Sequence, residues 1–240
     1  MNKYDNNLML FVSGNENDVL TDFKRILKNT ILDINSDYKL HKVNINVELL
    51  NDPSNLIDAR ITLFFDKIPI QYFDVWLSSY IKLTYNDLIK LNEIAEGILK
   101  YESFNNGLKD TNGLEAIIGG VDNSFYGTDV CPTIIDKAVY FWYKIAQKQL
   151  FHNGNKRTAL LSAIFLLTTN GYNFKGYSLK KLDGDGVKDL YNISLKIANH
   201  EMTKDELKEY ILNNLTIDFK YQDDIMNSII NSVKGKEDDK

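Results

Sequence analysis

The rhythm of apolar and polar positions changes near residue 80. Ahead of that point it is mixed. Leu8 to Val12 is a short apolar run of β type, and Val19, Leu20, Phe23, Ile26, Leu27 and Ile31 recur at helical spacing across Asp18 to Leu32. Val43, Ile45 and Val47 alternate with polar residues, as do Ile61 and Leu63 ahead of Phe64-Phe65, which predicts two strands with a turn at Asn51-Asp-Pro-Ser-Asn55 between them. A small α+β domain over residues 1–80 follows from these elements, with an interaction or regulatory role as its default reading.

From Thr84 the helical period takes over. Leu88, Leu91, Ile94, Ala95 and Ile98 mark one face, and Thr84 and Asp87 are spaced as a capping box. Gly119-Gly120 reads as a link, after which Pro132-Thr133 opens a helix reaching Lys148. Its apolar residues, Ile134, Ile135, Ala138, Val139, Phe141, Trp142, Ile145 and Ala146, wrap most of the circumference, so the helix is buried. Its partner is the apolar helix from Ala159 to Thr169, which carries Leu160, Leu161, Ile164, Phe165 and Leu167 and closes at Gly171 as a C′ residue. Gln149 to Asn155 is then a loop held at both ends by core helices. Lys188 to His200 and Thr203 to Asn214 predict two more helices, the second started by a Thr203/Glu206 capping box. The expected fold is mainly α: a helical domain over residues 81–215 behind the α+β domain, then a C-terminal helix and charged tail over residues 216–240.

With 240 residues the chain can bury a sizeable core, and its formal net charge of −5 gives no global attraction to nucleic acid. Cys131 is the single cysteine, which excludes an internal disulfide and a multi-cysteine metal site. It precedes Pro132 and Thr133 without a neighbouring histidine and is expected to be an unreactive thiol. No stretch approaches the roughly 20 apolar residues of a membrane span, and the first residues lack an apolar signal core. A cytoplasmic protein, with neither nucleic acid nor membrane as partner, is the expectation.

Chemistry concentrates in Gln149-Leu-Phe-His-Asn-Gly-Asn-Lys-Arg-Thr158. Gly154 and Asn155 interrupt an apolar stretch and are followed by Lys156 and Arg157 at the start of a helix. The unpaired N–H groups of a first turn and the positive end of the helix dipole favour an anion, and Gly154 permits close backbone approach. Arg157 can grip two phosphate oxygens, while Lys156 supplies a mobile point charge. A solvated first turn is the plainer reading of the same residues, but cations are disfavoured at a helix N-terminus unless an anion is near. Asp183-Gly-Asp-Gly186 has the start of a calcium loop without its later glutamate and reads as a turn.

Phe151-His-Asn-Gly-Asn-Lys-Arg-Thr-Ala159, with Phe165-Leu-Leu-Thr-Thr-Asn-Gly171 downstream and Gly107-Leu108 and Thr111 to Gly119 upstream, resembles the central region of the Fic/Doc family, and its Doc branch most. The family pattern is His-x-Phe-x-(Asp/Glu)-(Gly/Ala)-Asn-(Gly/Lys)-Arg, and Lys156 at the eighth place resembles Doc. The resemblance spans Thr84 to Leu215 and implies a Fic/Doc-like helical core. It also implies ATP or another nucleotide as ligand with Mg2+, a target protein offering a Ser, Thr or Tyr hydroxyl, and a toxin restrained by an antitoxin. Transfer would be of a phosphoryl group, as in Doc, or of a nucleotide monophosphate, as in Fic enzymes. By position, Gly154, Asn155, Lys156 and Arg157 would hold the phosphates and Phe151 would anchor the loop.

Two places depart from the pattern. The motif histidine falls at Gln149, whose neutral amide cannot act as a base near pH 7, and the metal-binding acid falls at Asn153, which lacks the charge that anchors magnesium. His152 stands beside both as either a displaced base or an ordinary loop residue. Asn92-x-x-x-Glu96-Gly97 faintly echoes an inhibitory motif of some Fic proteins, with Glu96 better read as a solvated helix-end acid. The leading expectation is a Doc-like transferase. The alternative is a catalytically degenerate relative that binds a nucleotide or a partner.

Overall fold

In a computed structural model, residues 7–12, 16–34, 42–50, 58–97, 107–175 and 185–237 are described. The turn expected at Asn51 to Asn55 and the positions Ile98 and Asp183 lie outside them.

The mixed pattern at the start becomes β1 (Asn7–Val12), α1 (Glu16–Ile34), β2 (Val43–Leu49), β3 (Ala59–Phe65) and β4 (Ile68–Ser79). These strands form a sheet of order β1-β4-β3-β2, in which β1 runs parallel to β4 and the other pairs are antiparallel. Period-2 alternation drives the assembly: Val43, Ala59, Ile61, Leu63, Phe73 and Val75 are buried, whereas Asn44 and Arg60 face solvent. β4 was not expected, because Pro69 and a run of mixed character disguise it. Proline is tolerated here because it pairs with Phe64 beside an irregularity in register. The β3–β4 turn, Asp66-Lys67, has φ of 47° and 68°, a turn of the type common in tight hairpins but without the usual Asn-Gly signature.

The helical part contains α2 (Tyr85–Gly97), α3 (Thr111–Gly120), the hairpin β5 (Ser124–Phe125) and β6 (Thr128–Asp129), α4 (Ile134–Gln147) and α5 (Asn155–Thr169). It continues through β7 (Tyr172–Phe174), α6 (Asp185–Ala198), α7 (Lys204–Asn214), β8 (Leu215–Ile217) and α8 (Phe219–Glu237). The Thr84/Asp87 and Thr203/Glu206 capping boxes form as expected, and a third, Thr133/Asp136, starts α4. Gly171, at φ +87°, ends α5.

Three expectations are corrected. Gly119 and Gly120 are the last turn of α3 and not a link, since the chain remains helical through them. Ile94 is 47% exposed while Asn92 is 1% exposed, so the buried stripe of α2 runs Leu88, Leu91, Asn92, Ala95. Phe165 is 39% exposed and not part of the buried face, because α4 and α6 pack on other faces of α5.

Sheet and helices share one core. Phe73 stacks on Phe219 with ring centroids 6.0 Å apart, and Gln222 of α8 accepts a hydrogen bond from the Met9 N–H on the edge strand β1 at 2.8 Å. Asn170 at the end of α5 clamps the Ile81 peptide, accepting from its N–H at 2.8 Å and donating to its carbonyl at 3.0 Å. Arg25 of α1 pairs bidentately with Glu209 of α7 at 2.9 and 2.7 Å. Elsewhere the buried Lys137 ammonium donates to Asp122 at 2.7 Å, and Asp122 also accepts from Tyr80 and Lys82, both at 2.6 Å. Among the described residues, no helix is long and apolar enough to cross a membrane.

Candidate functional site

The turn between α4 and α5 is built by the residues that flank it. α4 stops at Lys148, and the next two apolar side chains, Leu150 and Phe151, drop into the core at 1% exposure each. The Leu150 carbonyl accepts from the N–H groups of Lys109 and Asp110 at 2.8 and 3.0 Å, and the His152 N–H donates to the Gly107 carbonyl at 2.9 Å. A β-bridge between Leu108 and Phe151 completes this second layer. The backbone of the loop is thus pinned before any ligand arrives.

Asn155 closes the loop from inside. Its Oδ1 accepts from the Phe151 N–H at 2.9 Å, and its Nδ2 donates to the Phe151 carbonyl at 2.8 Å. Both ends of the amide are engaged by the backbone, and Nδ2 also lies 3.5 Å from Gln149 Oε1. Gly154 then turns the chain with φ +76° and ψ 1°, a left-handed conformation that favours glycine, and as the N-cap residue it has no side chain with which to cap the helix that follows. The first intrahelical bond runs from the Thr158 N–H to the Gly154 carbonyl at 2.8 Å, so the N–H groups ahead of it have no acceptor within the helix.

A third support comes from α2. Asn92 Nδ2 donates to the Asn153 carbonyl and to Thr158 Oγ1, each at 3.0 Å, and Thr158 Oγ1 donates in turn to the Gly154 carbonyl at 3.1 Å. Glu96 is half-buried rather than a solvated acid, and its Oε1 accepts from the Gly107 N–H at 3.2 Å. A methyl group on Gly154 would stand 3.1 Å from Asn92 Nδ2 and 3.4 Å from Glu96 Cγ, which shows how closely α2 backs the loop.

On the open side lies a cavity of about 200 Å³ lined by Gln149, His152, Asn153, Gly154, Asn155, Lys156, Arg157 and Tyr191. Every residue singled out in the sequence as catalytic, phosphate-binding or metal-binding is therefore in one place. Gln149 and His152 are exposed, whereas Lys156 and Arg157 are half-buried. The Arg157 guanidinium lies over the Tyr191 ring, 5.3 Å from its centroid, which holds the cation at the wall of the cavity. The volume falls below the roughly 300–1,000 Å³ of typical small-molecule pockets, so it suits a small anion or the phosphate end of a larger ligand.

Tyr191 and Asn92 were missed by sequence reasoning. Tyr191 comes from α6, and nothing local to it signals the loop. Asn92 left a trace: it is a polar residue on the stripe formed by Leu88, Leu91 and Ala95.

Magnesium does not fit the donors present. Among the described residues that line the cavity none is a carboxylate, Lys156 and Arg157 are basic, and Asn155 Oδ1 is already taken by the Phe151 N–H. Among the described residues there is no cluster of three or more His, Cys, Asp or Glu that could hold a metal.

Fold and cavity together define a helical core with an anion-suited loop between its two central helices. The Fic/DOC family model matches residues 82–167, from the approach to α2 to the C-terminal part of α5. That stretch is similar to the family, and the architecture is a Fic-like helical core preceded by a small α+β region. No curated protein matches the chain.

Proposed function

We propose that this protein holds the phosphate end of a nucleotide in the α4–α5 loop and works as a binding protein, with group transfer degenerate or lost. The carrying observation is the content of one cavity: a helix start with glycine at its N-cap, Lys156 and Arg157 in the lining, and amides at both places where the resemblance calls for reactive groups. Gln149 lacks a proton-acceptor near neutral pH, and removing such a base costs about 10²- to 10⁴-fold in rate. Binding needs none of what is missing. Calorimetry with ATP tests this reading: saturable binding that is lost in Arg157→Ala supports it, and absence of binding to the native chain refutes it.

A Doc-like transferase is the second reading, favoured by one observation: His152 lines the same cavity as Gln149 and is exposed to an incoming substrate. In that role His152 would take the proton from a Ser, Thr or Tyr hydroxyl of a target protein while Lys156 and Arg157 hold the phosphates. Intact-mass measurement of lysate proteins incubated with the protein and ATP separates the readings. One added phosphoryl group, absent with His152→Ala, supports a Doc-like toxin and makes an antitoxin the expected partner. An added nucleotide moves the activity to the Fic type. No added mass, with ATP bound, leaves the binding protein. Gln149→His with Asn153→Asp is the gain-of-function control.

A further inference from the structure

Resting on the phosphate-binding reading of this cavity, we infer that its ligand is a phosphate group free of divalent metal, so that magnesium opposes binding instead of assisting it. Among the described residues the lining is one-sided in charge. Lys156 and Arg157 are basic, the first turn of α5 adds N–H groups without an acceptor inside the helix, and Gln149, Asn153 and Asn155 are amides. No ion pair engages Lys156 or Arg157 among the described residues, so their charge is available to a ligand.

Magnesium needs near-octahedral oxygen ligands and is usually anchored by one or two carboxylates. Among the described residues the carboxylates beside the loop are engaged elsewhere: Glu96 packs against Gly154 and accepts from the Gly107 N–H, and Asp110 accepts from the Gly113 N–H as the cap of α3. Of the amides, Asn155 cannot offer Oδ1, because withdrawing it would release the Phe151 N–H inside the core. A metal carried in on the phosphates would meet Lys156 and Arg157 without a compensating anion. It would also cancel two of the negative charges those residues are placed to receive.

The consequence distinguishes ligands. Free ATP, the more highly charged form, binds better than its magnesium complex, and inorganic phosphate binds with little response to the metal.

The test is calorimetric titration of the full chain with ATP and with inorganic phosphate, in excess EDTA and in excess magnesium chloride at matched ionic strength. ATP affinity is expected to fall at least about threefold in magnesium, the scale of losing exposed charge pairs. Asn153→Asp, which restores the acid, is expected to erase or reverse that fall. Tighter ATP binding in magnesium overturns the inference while leaving the phosphate site standing. A fall that Asn153→Asp leaves unchanged overturns the assignment to the missing carboxylate. Binding of neither probe in either buffer overturns the phosphate site itself.

Discussion

Replacing Asn92 tests how the loop is held. Its side chain is 1% exposed and spends both Nδ2 hydrogens on the loop and the first turn of α5, at 3.0 Å to the Asn153 carbonyl and 3.0 Å to Thr158 Oγ1. In Asn92→Ala two hydrogen bonds of about 1 kcal/mol each disappear, and a small void adds to the loss, for a total of about 2–3 kcal/mol. A chain of this size loses about 2–4 °C of Tm per kcal/mol, so the midpoint should fall by about 4–12 °C in a calorimetric melt. Asn92→Asp is the sharper probe. It has the same shape, so a purely packing role predicts little change. Hydrogen bonding predicts a cost at least as large as that of alanine, because a carboxylate cannot donate and would face the Asn153 carbonyl. Phosphate affinity should fall in both variants, since the loop backbone loses its support from α2. An Asn92→Asp melt within about 0.5 kcal/mol of the native protein would show that these hydrogen bonds do not hold the loop.

Four further outcomes are expected. Gly154→Ala should cost about 1–3 kcal/mol in denaturant unfolding, because alanine is strained at φ +76° and its methyl group would press on Asn92. Tyr191→Ala should weaken phosphate binding about two- to tenfold in titration while Tyr191→Phe restores it, since the ring face and not the hydroxyl holds Arg157 at 5.3 Å. At Asp122 burial raises the carboxyl, but hydrogen bonds from Lys137, Lys82 and Tyr80 outweigh it and hold the group at about 2 against an ordinary 3.8. Its stabilising contribution is therefore complete above about pH 4 and lost as pH falls through about 2, a dependence that Asp122→Asn should remove from acid-unfolding curves at a cost of about 2–4 kcal/mol at neutral pH. Burial pushes the Cys131 thiol up to about 11, so a thiol reagent at pH 8 should label it only after denaturation, and equal labelling rates in native and unfolded protein would contradict its placement.

By itself the sequence determined the local events. Apolar periodicity located α1, α4, α5 and α7, side-chain spacing identified the Thr84 and Thr203 capping boxes, and Gly154 with Lys156 and Arg157 marked an anion-suited helix start. Each depends on neighbours within a turn or two of helix, where spacing is enough. Tertiary structure alone decided the rest. β4 is a strand because β1 and β3 pair with it on both sides, despite Pro69. Ile94 points outward and Asn92 inward because α5 lies against α2, a fact of packing that hydropathy cannot rank. Tyr191 reaches Arg157 only because α6 folds back on α5, and Asn155 serves the loop backbone because Phe151 is buried beside it. Long-range contacts choose among conformations and partners that are close in local energy, which is why side-chain identity along the chain could name the cavity's residues but not their partners.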